Sequence, residues 1–320
     1  LCPAGRPLMQ KPESVAVIIP TLNSEKSISD LIKSIYEQDY RPIVVIVVDG
    51  GSTDGTRDIL ENLAEQLGSP NFQVKVFMEE NYGTLRSPAN ARNIGIAKSM
   101  SKFILFFDAD YELSDRALIS KVVKTLDATP CVGVKVLPKI DTWLELNCAI
   151  DDAASHGLSG INVHKYCGYR RGVFEKATFD PALGFGEDRD LHKRLALEPI
   201  VIDAYCARHF VHTFEEWYRQ SLWYGRTYVR YLLKHKAEGI LVVGYRIGAF
   251  LSLASAAALA LLSYWFSATL LGVFLGRVLY SYFKSKTRKP SRIVYLLARE
   301  TLAAIWFITG MLMSAFRRGM

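Results

Sequence analysis

At 320 residues, half of them hydrophobic, the chain is long enough to bury one or two full cores, and 39 Lys and Arg against 32 Asp and Glu leave it with a formal charge of +7. That excess is local. Residues 1–214 carry 24 basic against 28 acidic side chains and residues 215–320 carry 15 against 4, so the positive charge sits beside the most apolar stretch, which excludes nucleic acid as the partner of the basic balance.

The first stretch, LCPAGRPLMQKPES, has no continuous apolar run of the signal-peptide kind and reads as a tail over 1–13. VAVIIP (Val15 to Pro20) is a short buried strand. A helical pattern follows from about Glu25 to Gln38, with Ile28, Leu31, Ile32 and Ile35 on one face and Asn23 or Ser24 as its cap. IVVIVVD (Ile43 to Asp49) is a second strand, and GGSTDGT turns into a helix from about Thr56 to Leu67. FQVKVFME alternates as a third strand; a helix near Pro88 to Met100, the strand FILFFD and the strand CVGVKVL (Cys131 to Leu137) come next. Apolar strands separated by amphipathic helices predict an α/β fold with a largely parallel sheet covered on both faces. Five cysteines, Cys2, Cys131, Cys148, Cys167 and Cys206, form no C-x-x-C pair and suggest neither a zinc site nor a disulfide framework.

From Ile247 to Gly276 thirty residues run without a charge, and a second apolar run from Ile293 to Phe316 is interrupted only by Arg299 and Glu300. Basic clusters flank them at Arg226 to Lys236, Lys284 to Arg292, and Arg317 with Arg318. Lys and Arg favour cytoplasmic flanks, so the first run is expected to go out and return as a hairpin, with the second as a further span: two to three transmembrane helices over 240–320. Between them and the sheet, EEWYRQSLWYGRTYVRYLLKHK mixes aromatic and basic residues at helical spacing over 214–239 and reads as an interfacial amphipathic helix, with Arg219, Arg226 and Arg230 near lipid phosphates, or as a packed bridge to the membrane.

In parallel sheets ligands bind beyond the carboxyl ends of the strands. Asn23 and Glu25 follow the first strand, Asp49 ends the second, Asn81 and Gly83 follow the third, and Asp108 and Asp110 end the next. Each has a plain explanation as a cap or turn residue. In extended backbone the two acids of Asp108-Ala109-Asp110 face the same side and repel unless something positive lies between them. D-x-D spacing can hold Mg²⁺ or Mn²⁺ through oxygen ligands with positions left for a diphosphate.

VAVIIPTLNSEKSI, VVDGGSTDGT, ARNIGIA, FFDAD and GFGEDRDLHKRL, in that order, together resemble the inverting family 2 glycosyltransferases with the GT-A nucleotide-sugar fold, over roughly residues 14–235. The resemblance implies a GT-A domain over 14–213. It implies that Pro20, Asn23 and Glu25 line the nucleotide pocket, that Asp49 binds base or ribose, that Arg92 approaches the sugar phosphates, and that Asp108 and Asp110 bind metal, with His212 as a third contact. Asp188 matches the catalytic base, with Glu187 as its competitor. Where the family commonly has V-D-D-G-S this chain has Gly50 in place of the second acid. Arg170, Arg171 and Arg219 could meet an acceptor or lipid phosphate, or be solvated.

The implied activity is inverting transfer of a sugar from a UDP- or GDP-linked donor, with Mg²⁺ or Mn²⁺, to a polyprenyl or dolichyl-type lipid or lipid-linked glycan at the cytoplasmic face of the cell membrane, by a multi-pass protein. A polysaccharide synthase fits less well, since RQSLWYG stands where Q-x-x-R-W is expected. A non-catalytic scaffold would be expected to have lost carboxylates that remain here. A Rossmann oxidoreductase lacks its G-x-G-x-x-G after the first strand.

Overall fold

The structure, a computed structural model, describes residues 13–83, 86–156, 162–259, 264–285 and 289–316. The tail over 1–12 with Cys2, and the basic pair Arg317 and Arg318, lie outside the described residues. The chain divides into two compact units: Leu1–Val134, His164–Thr178 and Arg194–Cys206 make the first, and Lys135–Val163, Phe179–Lys193 and Ala207–Met320 the second.

The first unit opens with β1 (Val15–Thr21), α1 (Ile28–Tyr36), β2 (Ile43–Asp49), α2 (Thr56–Leu67), β3 (Phe72–Met78), α3 (Pro88–Lys98) and β4 (Phe103–Phe106), followed by the short β5 (Tyr111–Glu112), α4 (Leu118–Leu126) and β6 (Cys131–Lys139). The remaining elements in chain order are α5 (Trp143–His156), β7 (Asn162–Arg170), α6 (Val173–Lys176), α7 (Glu187–Leu195), β8 (Ile200–His209), α8 (Phe214–Lys234), α9 (Lys236–Leu259), α10 (Tyr264–Lys284), α11 (Pro290–Ala298) and α12 (Ala304–Phe316). The strands form one sheet in the order β3-β2-β1-β4-β7-β6-β8-β5.

The apolar runs became strands for the expected reason. Val15 to Ile19 and Val45 to Val48 are fully buried, as both faces of a central strand require. β1 pairs in parallel with β2 and β4, and β2 with β3, while β7 runs antiparallel to β4. The register brings Thr21, Asp49 and Met78 side by side, so the carboxyl ends of three strands are level. α1 buries Ile28, Leu31, Ile32 and Ile35, the face its spacing predicts. Each such side chain contributes about 1.5–3 kcal/mol on burial. α1 starts later than expected, at Ile28 rather than near Glu25: the Ser27 and Ile28 N–H groups bond the Ser24 carbonyl, and Asn23 sits at φ 52° outside the helix instead of capping it.

The second unit is mainly helical. α8 and α12 pack closely where two glycines meet; a Cβ on Gly225 would lie 2.0 Å from the Phe307 carbonyl oxygen, and one on Gly310 2.3 Å from that of Leu222. Leu183, Tyr228, Tyr231 and Phe307 bury themselves around this crossing. α8 packs with Trp217, Tyr228 and Tyr231 buried and Phe214, Tyr218 and Trp223 exposed, and it ends at Lys234 rather than 239.

The expected two or three spans are not supported. Among the described residues one helix is long and apolar enough to cross a membrane, Pro290–Ser314, with a mean hydropathy of 1.4. The thirty-residue uncharged run lies in α9 up to Leu259 and in α10 from Tyr264, and both helices include charges, Arg246 in α9 and Arg277 in α10.

Candidate active site

In the first unit the loops after β1 and β2 are bonded to one another. Asn23 Oδ1 accepts the Thr53 N–H (2.8 Å), Glu25 Oε2 accepts that of Gly55 (2.8 Å), and the N–H groups of Asn23 and Ser24 donate to Ser52 Oγ and Thr56 Oγ1 (both 2.8 Å). The Glu25 N–H donates to Asp54 Oδ2 (3.2 Å). Burial opposes ionisation of Asp54, but the Thr56 hydroxyl and the backbone N–H groups of Thr56 and Glu25 outweigh it and hold its carboxyl below the ordinary value.

Asp49 closes β2 with a fully buried carboxylate whose two oxygens accept from the N–H groups of Gly51 and Ser52, from the Ser52 hydroxyl and from Arg57 Nε at 2.9 Å. Its carboxylate is therefore already committed to the turn. Gly51 needs its glycine, since φ is +102° and an added Cβ would lie 2.5 Å from Arg86 Nη1, which also donates to the Gly50 carbonyl (3.1 Å).

Gly50 has a local reason too. An added Cβ there would lie 3.4 Å from Oε2 of Glu79, a buried acid beyond β3 whose Oε1 accepts from the Ser87 N–H (3.1 Å) and Asn90 Nδ2 (2.8 Å). A second aspartate at position 50 would bring a like charge against Glu79. Glu79, Arg57 and Arg86 were not singled out by the sequence; their only signal was position just past a strand end or inside a turn.

Asp108 and Asp110 lie just past β4, the strand next to β1. Their backbone is a turn, not the extended chain expected, with the Tyr111 N–H on the Asp108 carbonyl (3.1 Å). The Phe107 N–H still bonds the Ile18 carbonyl (3.3 Å), and His164 Nε2 donates to the Phe106 carbonyl (2.8 Å), so both neighbours of β4 hold the approach to the turn. A positive group does meet the acids: Arg92, buried on α3, donates from Nη2 to Asp108 Oδ1 at 2.7 Å. Two carboxylates just past a strand end offer the oxygen donors that Mg²⁺ or Mn²⁺ takes, so these residues fit such an ion.

Arg170 and Arg171 are not brought to this edge. Arg170 pairs with Phe103, the first residue of β4, and so lies at the opposite end of that strand. Its guanidinium donates to the carbonyls of Leu126 and Asp127, and that of Arg171 to those of Ser101 and Ser99. Peptide oxygens, not a phosphate at the carboxyl edge, are their partners. They line a cavity of about 510 Å³ with Lys102 and Lys176.

In the second unit the acids of GFGEDRDL open α7 after Gly186, which is at φ +74° with the Tyr231 ring where a Cβ would point. Glu187 and Asp190 are buried and Asp188 is half-buried. Asp190, not singled out by the sequence, pairs with Lys234 (2.8 Å) and His235 (3.0 Å) from the end of α8. His212 lies before α8 with Nδ1 3.4 Å from Glu145 Oε1. Arg219 is an exposed residue of α8 paired with Glu215 one turn earlier at 2.6 Å.

The glycosyl transferase family 2 model matches residues 16–178. The chain belongs to that family. It is 32% identical over 110 residues to the GalNAc(5)-diNAcBac-PP-undecaprenol beta-1,3-glucosyltransferase of Campylobacter jejuni, covering 34% of each chain. It is 36% identical over 105 residues to the poly(ribitol-phosphate) beta-N-acetylglucosaminyltransferase TarS of Staphylococcus aureus, covering 32% of this chain and 17% of that one. The aligned part is thus about a third or less of these relatives' lengths. Among solved structures, the mannosyltransferase PcManGT of Pyrobaculum calidifontis, in complex with GDP-Man and Mn²⁺, is similar over 97% of this chain and 89% of its own, at a TM-score of 0.57 and 20% identity. The fold is that of a GT-A glycosyltransferase.

Proposed function

We propose that the protein is a membrane-associated, metal-dependent inverting glycosyltransferase that moves a sugar from a UDP- or GDP-linked donor to a lipid-linked acceptor at the cytoplasmic face. The observation that carries the reading is the aligned carboxyl edge of β1, β2 and β3 with Asp108 and Asp110 just beyond the adjoining β4. The nucleotide lies against the braced loops that hold Pro20, Asn23, Glu25 and Asp49, whose cross-bonding keeps the backbone of that pocket rigid before the donor arrives. A bound Mg²⁺ or Mn²⁺ would neutralise the donor diphosphate and stabilise it as a leaving group. Asp108 and Asp110 would hold it, and Arg92 keeps Asp108 oriented.

Asp188 takes the proton from the acceptor hydroxyl. Its half-burial favours it over the buried Glu187 as the group an acceptor can reach. Membrane association is supported by the helix Pro290–Ser314, of which 28% of the apolar window is buried in the protein and whose Val294, Leu302, Ile305 and Leu312 are exposed. A core helix would cover those side chains. A lipid-linked acceptor follows from placing such a helix in the same chain as the transferase domain. The domain boundaries at 14–213, 214–239 and 240–320 belong to the same proposal.

Thermal unfolding in detergent with a panel of nucleotide sugars, with Mn²⁺ or with EDTA, tests the reading. One nucleotude class is expected to raise the melting temperature only with metal, by the mass-action term of about 2.7 kcal/mol at a hundredfold excess over Kd. Asp110→Ala should abolish that rise. Asp188→Asn should keep it and lower turnover about 10²–10⁴-fold. Metal-dependent stabilisation surviving in Asp110→Ala would overturn the assignment.

A further inference from the structure

Metal-ligating side chains also gather in the second unit, on residues that the proposed transfer does not use. Asp141, Glu145 and His209 each bring a ligand atom within 4.8 Å of the other two. Asp141 precedes α5, Glu145 lies in its first turn and His209 ends β8.

Glu145 is the informative member. Its Oε2 accepts the N–H groups of Asp141 (2.8 Å) and Thr142 (2.9 Å) and the Thr142 hydroxyl (3.3 Å), while Thr142 Oγ1 accepts the Glu145 N–H (3.1 Å). This is a reciprocal capping box, and T-W-L-E is its signature in the sequence. Oε1 behaves differently. The side chain is 1% exposed, and Oε1 accepts no hydrogen bond from any described residue. A buried acceptor left without a donor costs about 1–3 kcal/mol, more when charged.

What faces Oε1 is imidazole nitrogen: His212 Nδ1 at 3.4 Å and His209 Nδ1 at 3.9 Å. Both separations are long for a hydrogen bond, and the 3.9 Å between Glu145 and His209 lies within the reach of a shared ion. Two donors each about 2.1 Å from one cation lie roughly 3.4 Å apart at the tetrahedral angle and about 4.2 Å apart at most.

We propose that Asp141, Glu145 and His209 form a second divalent-cation site, held within the second unit, for a borderline transition metal of the Zn²⁺ class. The donor set selects the ion: imidazole with carboxylate suits Zn²⁺ or Co²⁺, whereas the all-oxygen pair of Asp108 and Asp110 suits Mg²⁺ or Mn²⁺. The ion would meet the charge of Glu145 Oε1, which the two imidazoles reach only at 3.4 and 3.9 Å, and tie the start of α5 to the end of β8. Three protein ligands leave a fourth position for His212 or water.

The full chain, purified in detergent and stripped with a chelator, is loaded with Zn²⁺ and counted by elemental analysis, and loaded with Co²⁺ and read by its visible d–d bands. One tightly held ion per chain is expected in the wild type and in Asp110→Ala. Binding at least tenfold weaker, with loss of the Co²⁺ bands, is expected in His209→Ala and in Glu145→Gln, whose amide oxygen can keep the capping bonds. Should Glu145→Gln misfold, His209→Ala decides alone, since His209 takes no part in the cap. Wild-type chain that holds no Zn²⁺, or His209→Ala with unaltered stoichiometry and spectrum, overturns the site. Failure of the Asp108 and Asp110 assignment reads out separately, as Mn²⁺-dependent donor binding that survives Asp110→Ala.

Discussion

The two units use polar side chains in opposite ways. In the first, Asn23, Glu25, Asp49 and Asp54 bond mostly to backbone N–H groups of the loops after β1 and β2, within about thirty residues of one another. In the second, charges bond to charges across the chain: Asp151 of α5 takes Arg292, Arg299 Nη1 (2.8 Å) and the Tyr295 hydroxyl (3.0 Å), and Glu300 takes Arg299 and Arg277 (2.8 Å). The first arrangement fixes loop shape and leaves a pocket edge rigid. The second neutralises charge on a helix that is otherwise apolar. It also accounts for Arg299 and Glu300 interrupting an apolar run: they are paired by residues of α5 and α10, next to a π-helical turn over Arg299–Ala303.

The sharpest way to break this contrast is Asp151→Ala. Arg292 has a side chain 2% exposed, and its other bonds run to the carbonyl and side-chain oxygens of Asn147. Removing the carboxylate takes the acid from buried Arg292 and leaves Arg299 with Glu300. Breaking a buried pair from one side costs about 3–5 kcal/mol, so a large loss is expected in denaturant unfolding of the detergent-solubilised protein. A loss under about 1 kcal/mol would mean that water reaches these arginines and that the network is a surface one.

The corresponding change in the first unit is Asp49→Asn. The amide keeps one acceptor oxygen but loses the charge that Arg57 and three donors share, and its NH₂ faces other donors. About 1–3 kcal/mol is expected, together with weaker nucleotide binding because the G-G-S turn loses its brace. Unchanged stability with lost binding would mean that Asp49 contacts the nucleotide directly.

How much of this was legible follows from the same contrast. α2 and β2 are legible to the residue, and β1 and the buried face of α1 nearly so, because a period of two or 3.6 and a turn signal are local. The acids beyond strand ends were legible as positions. Their partners were not: nothing in the spacing ties Arg92 to Asp108 or Glu79 to the neighbourhood of Gly50. Arg170 looked like a phosphate ligand because no local signal tells which end of an antiparallel strand it will occupy. The uncharged run reads as a hairpin of spans because its length is visible in the sequence and the bounds of its helices are not: α9 and α10 reach past it to take in Arg246 and Arg277. Asp151 with Arg292 was out of reach, the two being 141 residues apart.

The smallest expected effect is a pH dependence at the end of α8. Asp180 and Lys234 are bonded at 2.6 Å, and Lys234 also meets buried Asp190 at 2.8 Å. Burial opposes the Asp180 charge, but the Lys234 ammonium and the Ala182 N–H outweigh it and lower its pKa; Lys234 is raised by Asp180 and Asp190 against its own burial. An aspartate depressed in the folded state stabilises above its unfolded pKa, near about 3.9, and that stabilisation disappears as pH falls through the lower folded value. The raised lysine contributes below its unfolded pKa, near about 10.4, and that contribution disappears as pH rises through its higher folded value. Stability from this group is therefore flat across neutral pH and falls at both extremes. Since both side chains are partly exposed, the Asp180–Lys234 pair is expected to contribute less than about 1 kcal/mol. Asp180→Asn should lower the melting temperature slightly at pH 7 and flatten the acid limb below about pH 4, and an acid limb identical to that of the wild type would show that the pair is screened to insignificance.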